Sequence, residues 1–380
     1  MRGRVVNLSV IAICLGYSIA LIPGNTSPLI VGGLIAGLGL GMAETGMVLS
    51  CELILMGIAA TLLATRMALI NARSACLLGA GLLLVGHGLA ATASNIEQIL
   101  IYRSFAGVGA GIVLAAVNAT IAGAANPARL YGLTMMAPPL IGFIVAFAMS
   151  RGIAAFTHAG AYGVLALLSL IVLPFLLAFP DYRENNHSTK PDALKEYGPG
   201  IALLLTIFIM GANMMAYFAF VERLGVRLDL SIEEVGNIFA WVVLGGAFGA
   251  GIAAMLENRF GLMKPLIVGI LLHSTAMIIA IEIISLPAYI IGTVLEGITL
   301  VYTLTFLFAI AASLDPHGRW AAAAGGAFSL SLGVGPYLGG AIIELFGFGA
   351  LTMLITIGTL TILALLWSIT FQNKVRSDTL

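Results

Sequence analysis

Runs of about 20 apolar residues follow one another from end to end of this chain, each long enough to cross the ~30 Å hydrocarbon core of a bilayer as a helix. That succession constrains the fold more than any motif does. Of the 380 residues, 60% are hydrophobic and 9% charged, with a mean hydropathy of +1.09. A soluble chain of this length would need far more charge to cover its apolar residues. The sequence therefore predicts an all-α, polytopic membrane protein. Cys14, Cys51 and Cys76 lie in or beside apolar spans at no metal-ligand or redox spacing, so they read as small buried hydrophobes. The N-terminus has the basic start and apolar core of a signal peptide without a small-residue cleavage site. It is expected to be an uncleaved first helix.

Turn and charge signals divide the apolar runs into about twelve helices: 6–31, 44–65, 74–94, 97–123, 130–150, 158–179, 198–222, 232–255, 264–285, 287–312, 318–344 and 347–371. Ser231 and Glu234 have capping-box spacing at the start of the eighth span. The glycine-rich stretch 29–46 and the weak break around Pro287 are where this division is least marked.

Basic residues orient the spans, because positively charged loops stay in the cytoplasm. With both termini inside, Arg2, Arg4, Arg66, Arg73, Arg129, Arg183, Lys190, Lys195, Arg259, Lys264, Arg319, Lys374 and Arg376 are cytoplasmic. Only Arg151, Arg223 and Arg227 fall outside, and Arg103 lies within a span. An inner-membrane location follows as the expectation. The longest hydrophilic stretch, 181–198, divides the spans six and six. We expect an N-terminal half at 1–180, a cytoplasmic linker at 181–197 and a C-terminal half at 198–380, the product of a duplicated unit. The glycine in "FAGVG" of the fourth span has a counterpart in "LEGIT" of the tenth.

Three segments carry a family resemblance. "YRSFAGVGAG" in the fourth span has an arginine-then-glycine pattern at Arg103, Gly107, Gly109 and Gly111. "LENRFGLMKP" has an acid-x-Arg-x-Gly loop at Glu257, Arg259, Gly261 and Lys264. "GVGPYLGG" in the eleventh span places Gly335, Pro336, Gly339 and Gly340. Together, over twelve spans, these resemble the major facilitator superfamily. The resemblance implies two pseudo-symmetric six-helix halves around a cavity lined by the first, fourth, seventh and tenth helices. It also implies a role for Arg103 in coupling, and for Gly107, Gly111, Glu257, Arg259, Gly261, Gly335 and Pro336 in conformational change. Two departures stand out. Ala64 replaces the acid in the first-half loop, and Pro138 and Pro139 stand in the fifth span without the glycine-proline-glycine-glycine pattern of drug-proton antiporters.

A charge inside the membrane costs about 2.5 kcal/mol or more, so it faces a cavity or a partner. At 100° per residue Arg103 shares a face with Gly107, Gly111, Leu114 and Asn118, and a glycine face admits a neighbouring helix. Glu52 lies at similar depth in the second span and is the expected partner of Arg103. The pair can be scaffold or coupling machinery. Glu296, nearest the midplane of the tenth span, sits in a stripe with Thr293, Thr299 and Thr303, and suits a group that takes up and releases a proton. His87 and His273 are expected to serve packing.

Candidate substrate-binding residues are Tyr17, Asn25, Asn118, Asn213, Tyr217 and Thr299, several of them near the interrupted part of the first span or on one face of the seventh. The expected function is secondary active transport of a small organic solute, proton-coupled, leaning to uptake of an anionic one. A proton-driven multidrug or metabolite efflux pump is the alternative, and a non-transporting sensor or assembly factor a further one. The expected partners are the solute, protons and the lipid bilayer, for a monomer that binds no nucleic acid. No cofactor or metal is expected. Enzymatic chemistry is not expected, because no nucleophile, base and orienting group occur together at recognisable spacing.

Overall fold

The computed structural model describes residues 8–64, 66–124, 126–181, 197–314 and 319–377, and among them it contains helices and no strands. Apart from its first and last residues, the expected linker at 181–197 lies outside the described residues. The first half comprises α1 (Leu8–Asn25), α2 (Ser27–Leu38), α3 (Met42–Ala64), α4 (Ala72–Ala90), α5 (Ile96–Ala122) and α6 (Pro127–Val172). The second comprises α7 (Tyr197–Phe218), α8 (Val221–Val226), α9 (Ile232–Phe260), α10 (Met263–Glu282), α11 (Leu286–Ser313), α12 (Arg319–Phe346) and α13 (Phe348–Ser377).

Eleven helices among the described residues are long and apolar enough to cross a membrane, and one of them is double. Within α6, Thr157 leaves the helical region at φ 51°, ψ −134°. Gly152 and Gly160 meet backbone to backbone, so that a Cβ on either would crowd the other. Eight residues of straight helix would hold them about 12 Å apart. The chain therefore doubles back at Thr157, and the two legs are the fifth and sixth spans. Twelve spans result. Several helix starts are capped by residues legible in the sequence, including the Ser231–Glu234 capping box of α9.

Two spans are each followed by a shorter helix. The first turns at Thr26 between α1 and α2, where the Thr26 hydroxyl donates to the Ile22 carbonyl at 2.9 Å. It then runs to Leu38, seven residues past the expected end. The glycines there do not end the helix, because residues 27–34 are all buried and packing outweighs the weak helix propensity of glycine. The seventh span ends at Phe218, and the short helix α8 follows it. The two shorter helices meet, and a Cβ on Gly32 of α2 would lie 2.6 Å from the carboxyl carbon of Glu222 of α8.

Contact between the halves is concentrated at the end where α2 meets α8. Along α3 and α12, Gly46 sits against the Pro336 carbonyl so closely that no side chain fits between them. The backbone N–H of Tyr337 donates to the Ser50 hydroxyl at 3.0 Å. Along α6 and α9, Gly236 faces Ser150, and Phe143 and Trp241 meet edge-on with centroids 5.8 Å apart. Toward the other end the helices diverge. A Cβ on Gly57 would find only Ser329, at 4.0 Å, and one on Gly326 would find nothing within 4 Å. A cavity of about 270 Å³ opens there between α3 and α12. One apolar core fills each half, and a third, which includes Leu29, Val145, Phe220, Leu224 and Phe239, is shared by both at the closed end.

Candidate functional site

Each half encloses one charged cluster. In the first, the Arg103 guanidinium is fully buried and pairs with the Glu52 carboxylate, itself 3% exposed. Arg103 Nη1 also donates to His87 Nδ1 at 3.0 Å, and the guanidinium lies over the Tyr162 ring at 4.9 Å. These partners come from α3, α4 and α6, so the cation is closed in by its own half. The pairing with Glu52 is the one expected from depth. The contacts of His87 and Tyr162 were not legible, because they depend on how α4 and the second leg of α6 turn toward α5.

The second cluster contains Glu296, Tyr217, His273 and Thr299. Glu296 is 1% exposed and its Oε1 has no hydrogen-bond partner among the described residues. It makes no ion pair among them either; those seen are Arg103 with Glu52 and Arg223 with Glu222. Tyr217, on α7, is fully buried with an unpartnered hydroxyl, and it lies within electrostatic reach of Glu296. His273 Nδ1 is 3.2 Å from the Thr299 hydroxyl, three residues from Glu296 on α11. Its Nε2 is unpartnered. Thr293, Thr299 and Thr303 give their hydroxyl protons to carbonyls one turn earlier on α11.

The expected substrate residues do not form one group. Tyr217 and Thr299 belong to the Glu296 cluster. Tyr17 is buried and its hydroxyl meets Met135 Sδ at 3.7 Å. Asn25 is half-buried at the break of the first span, and Asn118 is exposed on α5. Asn213 packs its amide onto Gly358 of α13, which turns it away from the other candidates. His273, expected to serve packing, meets the Glu296 stripe through its contact with Thr299. The signal was its place on a span that packs beside the tenth, which needs the fold to be read.

A family model for the major facilitator superfamily matches residues 202–379. The chain is 26% identical over 222 residues to an uncharacterized MFS-type transporter, YceJ, of Bacillus subtilis (strain 168). That match covers 53% of this chain and 55% of the relative, so the chain spans about half the length of the curated relative it matches. The whole fold superposes on a mutant form of the nucleoside transporter NupG with a TM-score of 0.76 at 14% identity, covering 96% of this chain and 99% of that one. It also superposes on an inward-facing, unoccupied bacterial homolog of the human lysosomal transporter Spinster. There the TM-score is 0.74 at 15% identity, covering 97% and 96%.

The second half of the chain thus matches the superfamily model, and the whole chain shares the fold of these two transporters. Its arginine-then-glycine pattern is a contact face between helices of one half. Gly107 and Gly111 lie directly on the Glu52 and Met56 carbonyls of α3, where any side chain would force the helices apart. The same device recurs in the second half, where Gly297 lies on the Val242 carbonyl of α9. In the eleventh-span pattern, Gly335 lies on Ala212 of α7 and the Pro336 carbonyl on Gly46 of α3. Gly261 ends α9 with φ 69°, a left-handed value that glycine adopts freely. Glu257 and Arg259 fall within α9, and their side chains lie outside the described residues. The superfamily and these neighbours are transporters rather than enzymes.

Proposed function

We propose that this protein is a proton-coupled secondary transporter of a small organic solute, working by alternating access. The observation that carries this reading is Glu296, a carboxyl buried without an ion-pair partner among the described residues and within electrostatic reach of the Tyr217 hydroxyl. An ionised carboxylate fits such surroundings poorly, whereas a neutral acid fits them well. Opening the second half to water reverses that preference, so proton uptake and release follow the conformational cycle. Seam contacts at one end and divergence at the other support a state open on one side only. With the basic loops in the cytoplasm, that side is the cytoplasmic one, in an inner membrane with both termini inside.

The site is made by one chain, which suits a monomer working in the bilayer. Arg103 spends its charge on Glu52 within its own half, so it lends no support to an anionic cargo. We therefore keep the solute class broad.

Purified protein in proteoliposomes tests the reading. Candidate solutes, with nucleosides, carboxylates and cationic dyes in the panel, are first screened for a rise in melting temperature. An imposed pH gradient should then drive accumulation of the stabilising solute or its expulsion. No proton movement linked to any stabilising solute would favour the sensor reading instead.

A further inference from the structure

We propose that His273 is a second proton-accepting residue of the Glu296 site, held ready by a fixed tautomer. The proposal rests on the reading of Glu296 as a proton carrier. Its basis is the inventory of donors and acceptors around the ring. The hydroxyl of Thr299 lies 2.7 Å from the Leu295 carbonyl and 3.1 Å from that of Glu296, so its single proton is given to main chain. What faces His273 Nδ1 is therefore an oxygen lone pair, 3.2 Å away. That acceptor places the ring hydrogen on Nδ1. Nε2 is left as a bare lone pair, 2% exposed as a residue and without a hydrogen-bond partner among the described residues.

His87 shows the contrast. It faces Arg103, whose guanidinium can only donate, so His87 Nδ1 must be the acceptor. Its lone pair is already occupied, and the ring is a fixed part of the Glu52–Arg103 cluster. The two mid-span histidines thus hold opposite tautomers, and only His273 has a vacant base.

The groups around that base are few. On α11 they are Glu296 and Tyr302, and the Tyr302 hydroxyl donates to the Pro265 carbonyl at 3.1 Å. On α7 there is Tyr217. On α10 itself the other acid, Glu282, accepts from Thr352 at the far end of the helix, and Lys264 lies at the near end. The described part of α9 has Glu233 and Glu234 in its first turn, and α13 has no titratable side chain between residues 348 and 368. Among the described residues Glu296, three residues from Thr299 on α11, is the acid of the cluster that holds this unpartnered base. A charge on this ring is balanced only if Glu296 gives up its own proton, so the two titrations are linked.

Solute-free protein suffices for the test. [15N]Histidine-labelled protein in detergent micelles is titrated from about pH 8 to about pH 4, the range in which imidazoles change charge, and His273 is assigned from the signal lost in His273→Asn. The asparagine amide replaces the Nδ1–H donor and removes Nε2. The expected spectrum is the Nδ1–H tautomer at the alkaline end, then protonation of Nε2 on acidification, with a course altered in Glu296→Gln. Thr299→Val, which removes the acceptor, should mix the tautomers and gives a second route should the asparagine variant fail to fold. An Nε2–H tautomer, no protonation over the range, or a course unchanged in Glu296→Gln would overturn the proposal. The infrared band of a protonated carboxyl, lost in Glu296→Gln, tests Glu296 separately; its absence would sink the proton-carrier reading while leaving the histidine result to stand by itself.

Discussion

The carboxylate of Glu344, at the end of α12, accepts a hydrogen bond from the backbone N–H of Ala43 at 2.8 Å, at the start of α3 in the opposite half. One half thus caps a helix of the other, and the first-turn N–H groups of α3 favour a negative charge there. The bond exists only while this end is closed. Glu344→Ala should raise the population open at this end about two- to fivefold, from the usual worth of a cap. Spin-label distances between α3 and α12 read this directly, and an unchanged distribution would remove Glu344 from the seam.

Gly46 and Gly107 separate closure from stability. Both lie on a carbonyl where no Cβ fits, but Gly46 meets Pro336 across the halves while Gly107 meets Glu52 within one. Overpacking costs roughly 1–3 kcal/mol. Gly107→Ala should lower the melting temperature. Gly46→Ala should instead shift the same label distances with little change in melting. Equal thermal losses would contradict the division into two rigid halves.

The Glu52–Arg103 pair should behave as scaffold. Removing one member leaves a buried charge alone, which costs about 3–5 kcal/mol. Glu52→Gln and Arg103→Met should each destabilise strongly, and the double variant less than their sum. Additive losses in thermal unfolding would mean that the two charges do not support one another.

Glu222 supplies a pH dependence at the closed end. It sits on α8, beyond the membrane-spanning α7, and burial pushes its carboxyl above its ordinary 4.5, with Arg223 opposing. A carboxyl raised in the closed state binds its proton more tightly there than when exposed. Closure is then favoured while pH is below 4.5 and weakens as pH climbs through the raised value. Label distances between α2 and α8 should show this dependence, and Glu222→Gln should abolish it.

Much of the architecture was legible because hydrocarbon leaves long apolar runs few choices. The twelve spans, the capping box at Ser231 and the partner of Arg103 all follow from run length, spacing and depth. The continuation of the first span to Leu38 was not, because burial against the other half keeps its glycines helical. The reversal at Thr157 falls just before the expected start of the sixth span at 158, although the turn is so tight that the two legs form one continuous element. Glu222 and Glu344 read as ordinary charges beside spans, since their meaning depends on glycines of the other half. The Glu296 stripe was visible along one helix, whereas His273 and its vacant nitrogen required the neighbouring helix to be placed. Asn213 shows the converse: its face of the seventh span was right for a cavity until α13 was set against it.

The central claim is that Glu296 couples solute movement to protons. Proteoliposomes holding wild type or Glu296→Gln, given a solute from the stabilisation screen, measure it through accumulation under a pH gradient and exchange without one. We predict that wild type accumulates the solute against its gradient, while Glu296→Gln exchanges it at a comparable rate and accumulates none. Accumulation by Glu296→Gln equal to that of wild type would contradict the account.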